Sequence, residues 1–415
     1  MSGVVRNSLL LLVWPLVATL MIELKMYAAK NGDAFLINAN GQYVLIDGGY
    51  ASTYTSCISP DLAMLAERGE RLSLVVCSHI DADHIGGLLA FFDDNGDPGS
   101  RRIEVDAVWH NSLRSVPYTS DGPDLGDHAG VLQAFKRRGF PVPPALSPNP
   151  IGASQGSSLA KLLRSKGYHW NHSDGSRSID NRCAPYTLGN QVQLEVLGPT
   201  LERLEALNKL WLQEMRRLGY RGKPLSNDLV DDAYEMWCSH AAQQSRVPSV
   251  RPIAARRDRT LADAYTPDTA SANGSSIVLV LSAGSACVLL LGDAWAEEVV
   301  EALKRHYPGA QGLMFSAIKV AHHGSLCNTS PELLALIDAP CYLVSSNGNR
   351  HGHPDFEVLA GIVDRPATFE RKLYFNYETA SVQRLRSHSS QSGAHFSVHV
   401  VKDEWIQLGD VSCGG

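Results

Sequence analysis

The 415-residue chain has no Cys-x-x-Cys pair, no internal repeat and no apolar run long enough to span a bilayer. Its eight cysteines are scattered, which excludes a disulfide framework and fits a reducing compartment. Cys77 and Cys287 lie inside apolar runs and read as small buried thiols. Cationic excess is also lacking. With 37 Lys and Arg against 43 Asp and Glu, the formal charge of -6 excludes a surface that coats nucleic acid, though not a local basic groove. The longest apolar stretch runs from Leu9 to Ile22 and is interrupted by Pro15. A spanning helix needs about 20 apolar residues, so no stable membrane span is expected. Residues 1–20 read as a mis-called start or as a signal or anchor. A cytoplasmic protein is expected in the first case, an exported or anchored one in the second.

Histidines and carboxylates are present, and they are clustered. The run Val75-Val76-Cys77-Ser78-His79-Ile80-Asp81-Ala82-Asp83-His84-Ile85-Gly86-Gly87-Leu88 sets four potential metal ligands within six residues, just past an apolar strand pattern from Leu72 to Cys77. Imidazole and carboxylate at this density suit a borderline divalent cation. A helix N-cap would account for Asp83 alone. It leaves His79, Asp81 and His84 unexplained.

The run resembles the His-x-His-x-Asp-His motif of the metallo-β-lactamase fold, with Asp81 in place of the second His. That variant, followed by Ile-Gly-Gly-Leu, is similar to the hydrolase domain of the ComEC competence proteins. The resemblance implies an α/β four-layer αββα sandwich with a helical insert. Residues 21–200 would form the first half, 201–272 the insert with a basic connector, and 273–415 the second half. It also implies roles for further residues. Asp47, in Asp-Gly-Gly, matches the first motif and would support the metal from behind. Asp293, in Gly-Asp-Ala, matches the fourth motif and would bridge two metals. His323, in the pair His322-His323, matches the fifth. The metal set implied is His79, Asp81, Asp83, His84, Asp293 and His323, holding one or two divalent ions, Zn2+ or Mn2+. The carboxylate at 81 makes that set harder and more tolerant of manganese or magnesium.

One family position has no match. The strand from Gln191 to Leu197 ends in Gly-Pro-Thr where a ligand His belongs. His110, after Val108-Trp109 at a strand end, is the favoured substitute, with His169 and His172 as alternatives. The ligand set implies a metal-dependent hydrolase that uses metal-activated water. A phosphodiesterase or nuclease is expected, acting on nucleic acid or a nucleotide. Asp83 would orient the nucleophile, His322 would face the substrate phosphate, and His353 in Gly-His-Pro would protonate the leaving group. Hydrolysis of another ester, a lactam or a thioester is the alternative, as is a non-catalytic regulatory module.

Overall fold

The computed structural model describes residues 22–116, 129–138, 158–189, 191–222, 227–244 and 259–411. Residues 1–20, most of the loops expected at 115–130 and 139–157, and much of the basic connector lie outside the described residues.

Sixteen strands are described. They are β1 (Ile22–Met26), β2 (Phe35–Ala39), β3 (Gln42–Ile46), β4 (Leu72–Cys77), β5 (Val108–His110), β6 (Tyr186–Leu188), β7 (Val192–Gly198) and β8 (Val278–Ala283), followed by β9 (Ala286–Leu290), β10 (Leu313–Met314), β11 (Ala317–Lys319), β12 (Ile337–Asp338), β13 (Cys341–Val344), β14 (Arg371–Phe375), β15 (Phe396–Val400) and β16 (Trp405–Leu408). Apart from the short β10–β12 pair they form two sheets. The first runs β16-β1-β2-β3-β4-β5 and the second β15-β14-β13-β11-β9-β8-β7-β6. The chain crosses between them: β6 and β7 join the second sheet, and β16 returns to pair antiparallel with β1.

Three apolar clusters set the layers. Alternate residues of β4 show the division. Leu74 and Val76 pack between the sheets with Leu279, Leu281 and Val288. Val75 and Cys77 face the opposite way, toward Phe91, Phe92, Trp211 and Tyr234 of the outer helices. A third cluster lies under the helices Ala296–His306 and Phe356–Val363 on the far side of the second sheet. The architecture is the expected helix–sheet–sheet–helix sandwich. Strands covered on both faces read as continuous apolar runs, which explains Leu-Ser-Leu-Val-Val-Cys.

The segment expected to be an insert packs, in its described helices, on the first sheet. Its helices Leu201–Arg217 and Asp228–Gln244 send Trp211, Met215, Tyr234 and Cys238 into the first sheet's outer cluster. Two local expectations change. The helix expected at 85–93 begins at Ala82, with Asp81 in the N-cap position, so Asp83 and His84 lie in its first turn. Of the strand read across Ile103 to Asn111, only Val108–His110 is regular. Cys57, Cys77, Cys183, Cys238, Cys327 and Cys341 are free thiols, but Cys287, read as a buried thiol, is disulfide-bonded. Among the described residues no helix is long and apolar enough to cross a membrane.

Candidate metal centre

The site lies where the carboxyl ends of β3, β4, β9, β11 and β13 meet across the two sheets, the edge at which α/β folds place ligands. Ile277 N donates to Ser78 O at 2.8 Å and ties the second sheet to the β4 loop. The strand ends turn sharply. Asp47 after β3 has φ 56°, and His322 and His323 after β11 have φ 45° and 55°. Left-handed non-glycine residues cost roughly 1–3 kcal/mol each and persist where the surroundings over-determine them. The Gly-Gly of the motif has a packing cause. A Cβ on Gly87 would stand 1.9 Å from Gly48 O, so the Asp83–His84 helix approaches the Asp47 loop only without side chains there.

Four imidazoles converge on one oxygen. Nε2 of His79, His84, His322 and His323 lies 3.7, 3.5, 3.6 and 3.6 Å from Asp293 Oδ2. Each ring faces a separate partner through Nδ1. His84 Nδ1 is 2.8 Å from Asp47 Oδ2, and His79 Nδ1 is 3.1 Å from Ser78 Oγ, which itself donates to Asp47 Oδ2 at 2.6 Å. His322 Nδ1 is 2.7 Å from Asn328 Oδ1, and His323 Nδ1 is 3.2 Å from Asp33 Oδ1. The Asn328 amide is fixed in that sense because its nitrogen donates to Asp268, Asp293 O and Ala294 O. Nδ1 of His79, His84 and His322 thus meets a hydrogen-bond acceptor, His323 Nδ1 has only the ion-pair contact with Asp33, and Nε2 of all four rings points at Asp293.

Asp81 Oδ2 flanks His79 Nε2 at 3.7 Å, and Asp83 Oδ2 flanks His323 Nε2 at 3.8 Å. Asn31 Nδ2 donates to Asp83 Oδ2 at 2.8 Å. Nε2 of His79, His84 and His323 and both Asp293 oxygens are buried with no hydrogen-bond partner. Ligand atoms about 2.1 Å from a tetrahedral cation stand about 3.4 Å apart, close to these separations. Orphaned, convergent imidazole nitrogens and carboxylate oxygens of this kind fit a divalent cation.

Asp33, His84, Asp293 and His323 each offer a ligand atom within 4.8 Å of the others. Sequence reasoning missed Asp33, whose signal was a carboxylate at the mouth of the apolar strand β2. Its oxygens reach the cluster from behind, at the Nδ1 side of His323 and His84 and against Lys319. That is how an orienting carboxylate stands, as Asp47 does behind His84. Burial alone would lower the His84 pKa, but the Asp293 and Asp47 carboxylates raise it well above its ordinary value. Burial would raise Asp293; His322, His323 and His84 hold it well below the carboxylate range.

The structure does not bring His110 into the cluster. Its Nε2 is 2.9 Å from Glu235 Oε1 on the insert, and its ring stacks on Trp170. The other Glu235 oxygen accepts from Leu159 N at 2.6 Å and so caps the helix Leu159–Ser165. His172 contacts Ser178 O at 3.3 Å, away from the cluster. His353 does stand at the site: its ring is 5.5 Å from that of His322, and its Nδ1 is 3.3 Å from Asp355 Oδ2. A surface cavity lined by Leu261, Phe356, Arg365 and Arg384 contains none of these clustered residues.

Residues 28–165 match the family model described as the metallo-beta-lactamase superfamily. The chain is 33% identical over 94 residues to ComE operon protein 3 of Bacillus subtilis (strain 168), covering 22% of this chain and 12% of that protein. It thus spans about an eighth of that relative's length. Among solved structures it is similar to the metallo-beta-lactamase fold protein YhfI from Bacillus subtilis, with TM-score 0.38 and 10% identity over 94% of this chain and 100% of that one. Zn(2+)-bound PqqB from Methylobacterium extorquens gives TM-score 0.34 and 10% identity over 91% and 87%.

Proposed function

We propose that this chain, whose residues 28–165 match the metallo-beta-lactamase superfamily and which is similar over 94 residues to a ComE operon protein, is a metal-dependent phosphodiesterase acting on nucleic acid or a nucleotide-like diester. The observation that carries this reading is the ring of four Nε2 atoms around Asp293 Oδ2, flanked by two further carboxylates. His79, Asp81 and His322 would hold one cation, and Asp83, His84 and His323 a second, with Asp293 between them. His322 is assigned as a ligand because its Nδ1–H is spent on Asn328, which leaves Nε2 unable to donate to a phosphate. It supplies the nitrogen that the strand ending at Gly198 lacks. Zn2+ or Mn2+ fits the mixed donors, and the carboxylate share favours a hard cation matched to phosphoryl oxygen.

Bound there, divalent cations acidify water and polarise a phosphoryl oxygen. Asp83, held by Asn31, orients the attacking water. His353, steadied by Asp355 and beside His322, donates the proton to the departing oxygen. Purified protein loaded with Mn2+ or Zn2+ should hydrolyse bis-p-nitrophenyl phosphate. An Asp83→Ala variant should lose about 100-fold or more in kcat. Unchanged turnover in that variant would overturn the assignment.

A further inference from the structure

The mouth of the metal centre has a charge opposite to its floor. Asp33, Asp47, Asp81, Asp83 and Asp293 are buried, and the whole chain is acidic. Two exposed cations, Lys30 and Arg350, come from opposite sheets to one ring, that of Tyr50. Lys30 Nζ lies 5.7 Å from the Tyr50 ring centroid, and Arg350 Nη1 is 3.4 Å from Tyr50 Oη.

The pair is built in rather than incidental. Lys30 has a left-handed φ of 62°, and its backbone N–H donates to Tyr377 Oη at 3.0 Å. Arg350 follows Asn347-Gly348-Asn349 on the loop that also carries His353. From the cations a short polar chain leads inward. Tyr50 Oη donates to Asn31 Oδ1 at 3.1 Å, and Asn31 Nδ2 donates to Asp83 Oδ2 at 2.8 Å. Tyr50 is therefore two hydrogen bonds, and Arg350 three, from a carboxylate of the metal cluster.

We infer that Lys30, Tyr50 and Arg350 form an anion subsite that binds the phosphate next to the scissile one, and so select a single nucleic-acid strand over an isolated diester. The inference rests on the phosphodiesterase reading. A strand carries a second phosphate wherever the first is seated, whereas a small diester leaves the two cations without a partner. Because the metal cluster is buried, a flexible single strand can lower a phosphate into it and a rigid duplex cannot.

The test is fluorescence anisotropy with a labelled phosphorothioate DNA single strand of roughly 12 nucleotides, across a salt series. The metal-loaded wild type is compared with Lys30→Gln/Arg350→Gln and with Lys209→Gln/Arg305→Gln, which removes two exposed cations elsewhere. The mouth variant should bind about 10-fold or more weakly at low salt. Its slope of log affinity on log salt should be shallower by about 1.4, as expected for two lost phosphate contacts on a single strand. The Lys209/Arg305 variant should bind like wild type. Equal weakening in both variants, no weakening in the mouth variant, or no binding by the wild type would each overturn the subsite. Bis-p-nitrophenyl phosphate turnover by the same wild-type sample separates the two readings. Strand binding that depends on Lys30 and Arg350 without diester hydrolysis would sustain the subsite and sink the phosphodiesterase.

Discussion

Lys319 and Asp33 form a fully buried ion pair directly behind the metal cluster, and the same ammonium lies 3.6 Å from Asp293 Oδ1. Burial alone would lower the lysine pKa; Asp33 and Asp293 raise it. Lys319 also donates to Gly292 O at 2.7 Å, which fixes the turn that presents Asp293. Its charge occupies one side of the Asp293 carboxylate and leaves Oδ2 for the imidazole ring. Removing one partner of a buried pair strands the other charge, at about 3–5 kcal/mol. Lys319→Met should therefore destabilise the metal-free protein by about that amount in urea denaturation, with loss of metal uptake. A variant as stable as wild type would show that the ammonium is not the counter-charge.

The number of cations follows from the same buried charges. Five buried carboxylates, Asp33, Asp47, Asp81, Asp83 and Asp293, gather here, and among the described residues Lys319 is the buried lysine paired with them, through Asp33 and Asp293. Two divalent cations neutralise that set, while one leaves two negative charges uncompensated in a medium that penalises them. Carefully loaded protein should contain about two equivalents by elemental analysis. A chelator should lower Tm, because ligands that bind only the folded state stabilise it by about 2.7 kcal/mol at 100 times Kd. A plateau at one equivalent would reject the two-cation centre.

Much of this candidate site was legible because its side chains follow apolar strands. His79 to His84 follows β4, Asp293 follows β9 and His323 follows β11, and each strand is a buried run that announces where the chain turns. Asp33 and Lys319 were hidden for the converse reason. Each lies within or beside a strand, where a lone charged residue reads as a solvated face. Only the apposition of the two sheets buries both and pairs them. His110 misled because its strand end does lie level with the motif: it pairs with Cys77 in register. The competing partner, Glu235, is 125 residues away on the insert, and no local pattern reports it.

Gly87→Ala tests the packing that sets Asp47 behind His84. The added methyl would meet Gly48 O at 1.9 Å, so either the helix or the Asp47 loop must move. Overpacking typically costs about 1–3 kcal/mol. Here the displaced loop also carries Asp47, the partner of His84 Nδ1, so metal affinity should fall with stability. Calorimetric titration of Mn2+ would show this. Wild-type affinity in a destabilised variant would separate the loop from the metal centre.

Asp338 gives a pH signature away from the site. Burial would raise its carboxyl pKa, but Arg371 and Arg365 outweigh burial and hold it below the usual value. The Arg371 side chain is itself fully buried and bidentate, through Nε at 2.9 Å and Nη2 at 2.5 Å. A depressed folded pKa gives stability that is present above the unfolded value of about 3.9 and lost as pH falls through the folded one. Asp338→Asn should thus be less stable than wild type at pH 6, with the gap closing below about pH 4. A gap that is constant across this range would mean that the ion pair contributes only shape.

His110→Ala decides whether the insert serves the metal or the fold. In the wild type, Glu235 joins His110, Leu159 N and Ala160 N, at 2.9, 2.6 and 3.2 Å, so one carboxylate binds the helix Asp228–Gln244 to β5 and to the helix Leu159–Ser165. Deleting the imidazole leaves a buried carboxylate short of a partner, at about 1–3 kcal/mol. Expected are a lower Tm, unchanged metal equivalents and an unchanged requirement for metal in turnover. Glu235→Gln should reproduce the loss of stability, since the amide keeps its size but gives the helix N-terminus no charge. If His110→Ala instead loses a metal equivalent at wild-type stability, His110 is a ligand, and the ring of four histidines around Asp293 has a fifth member.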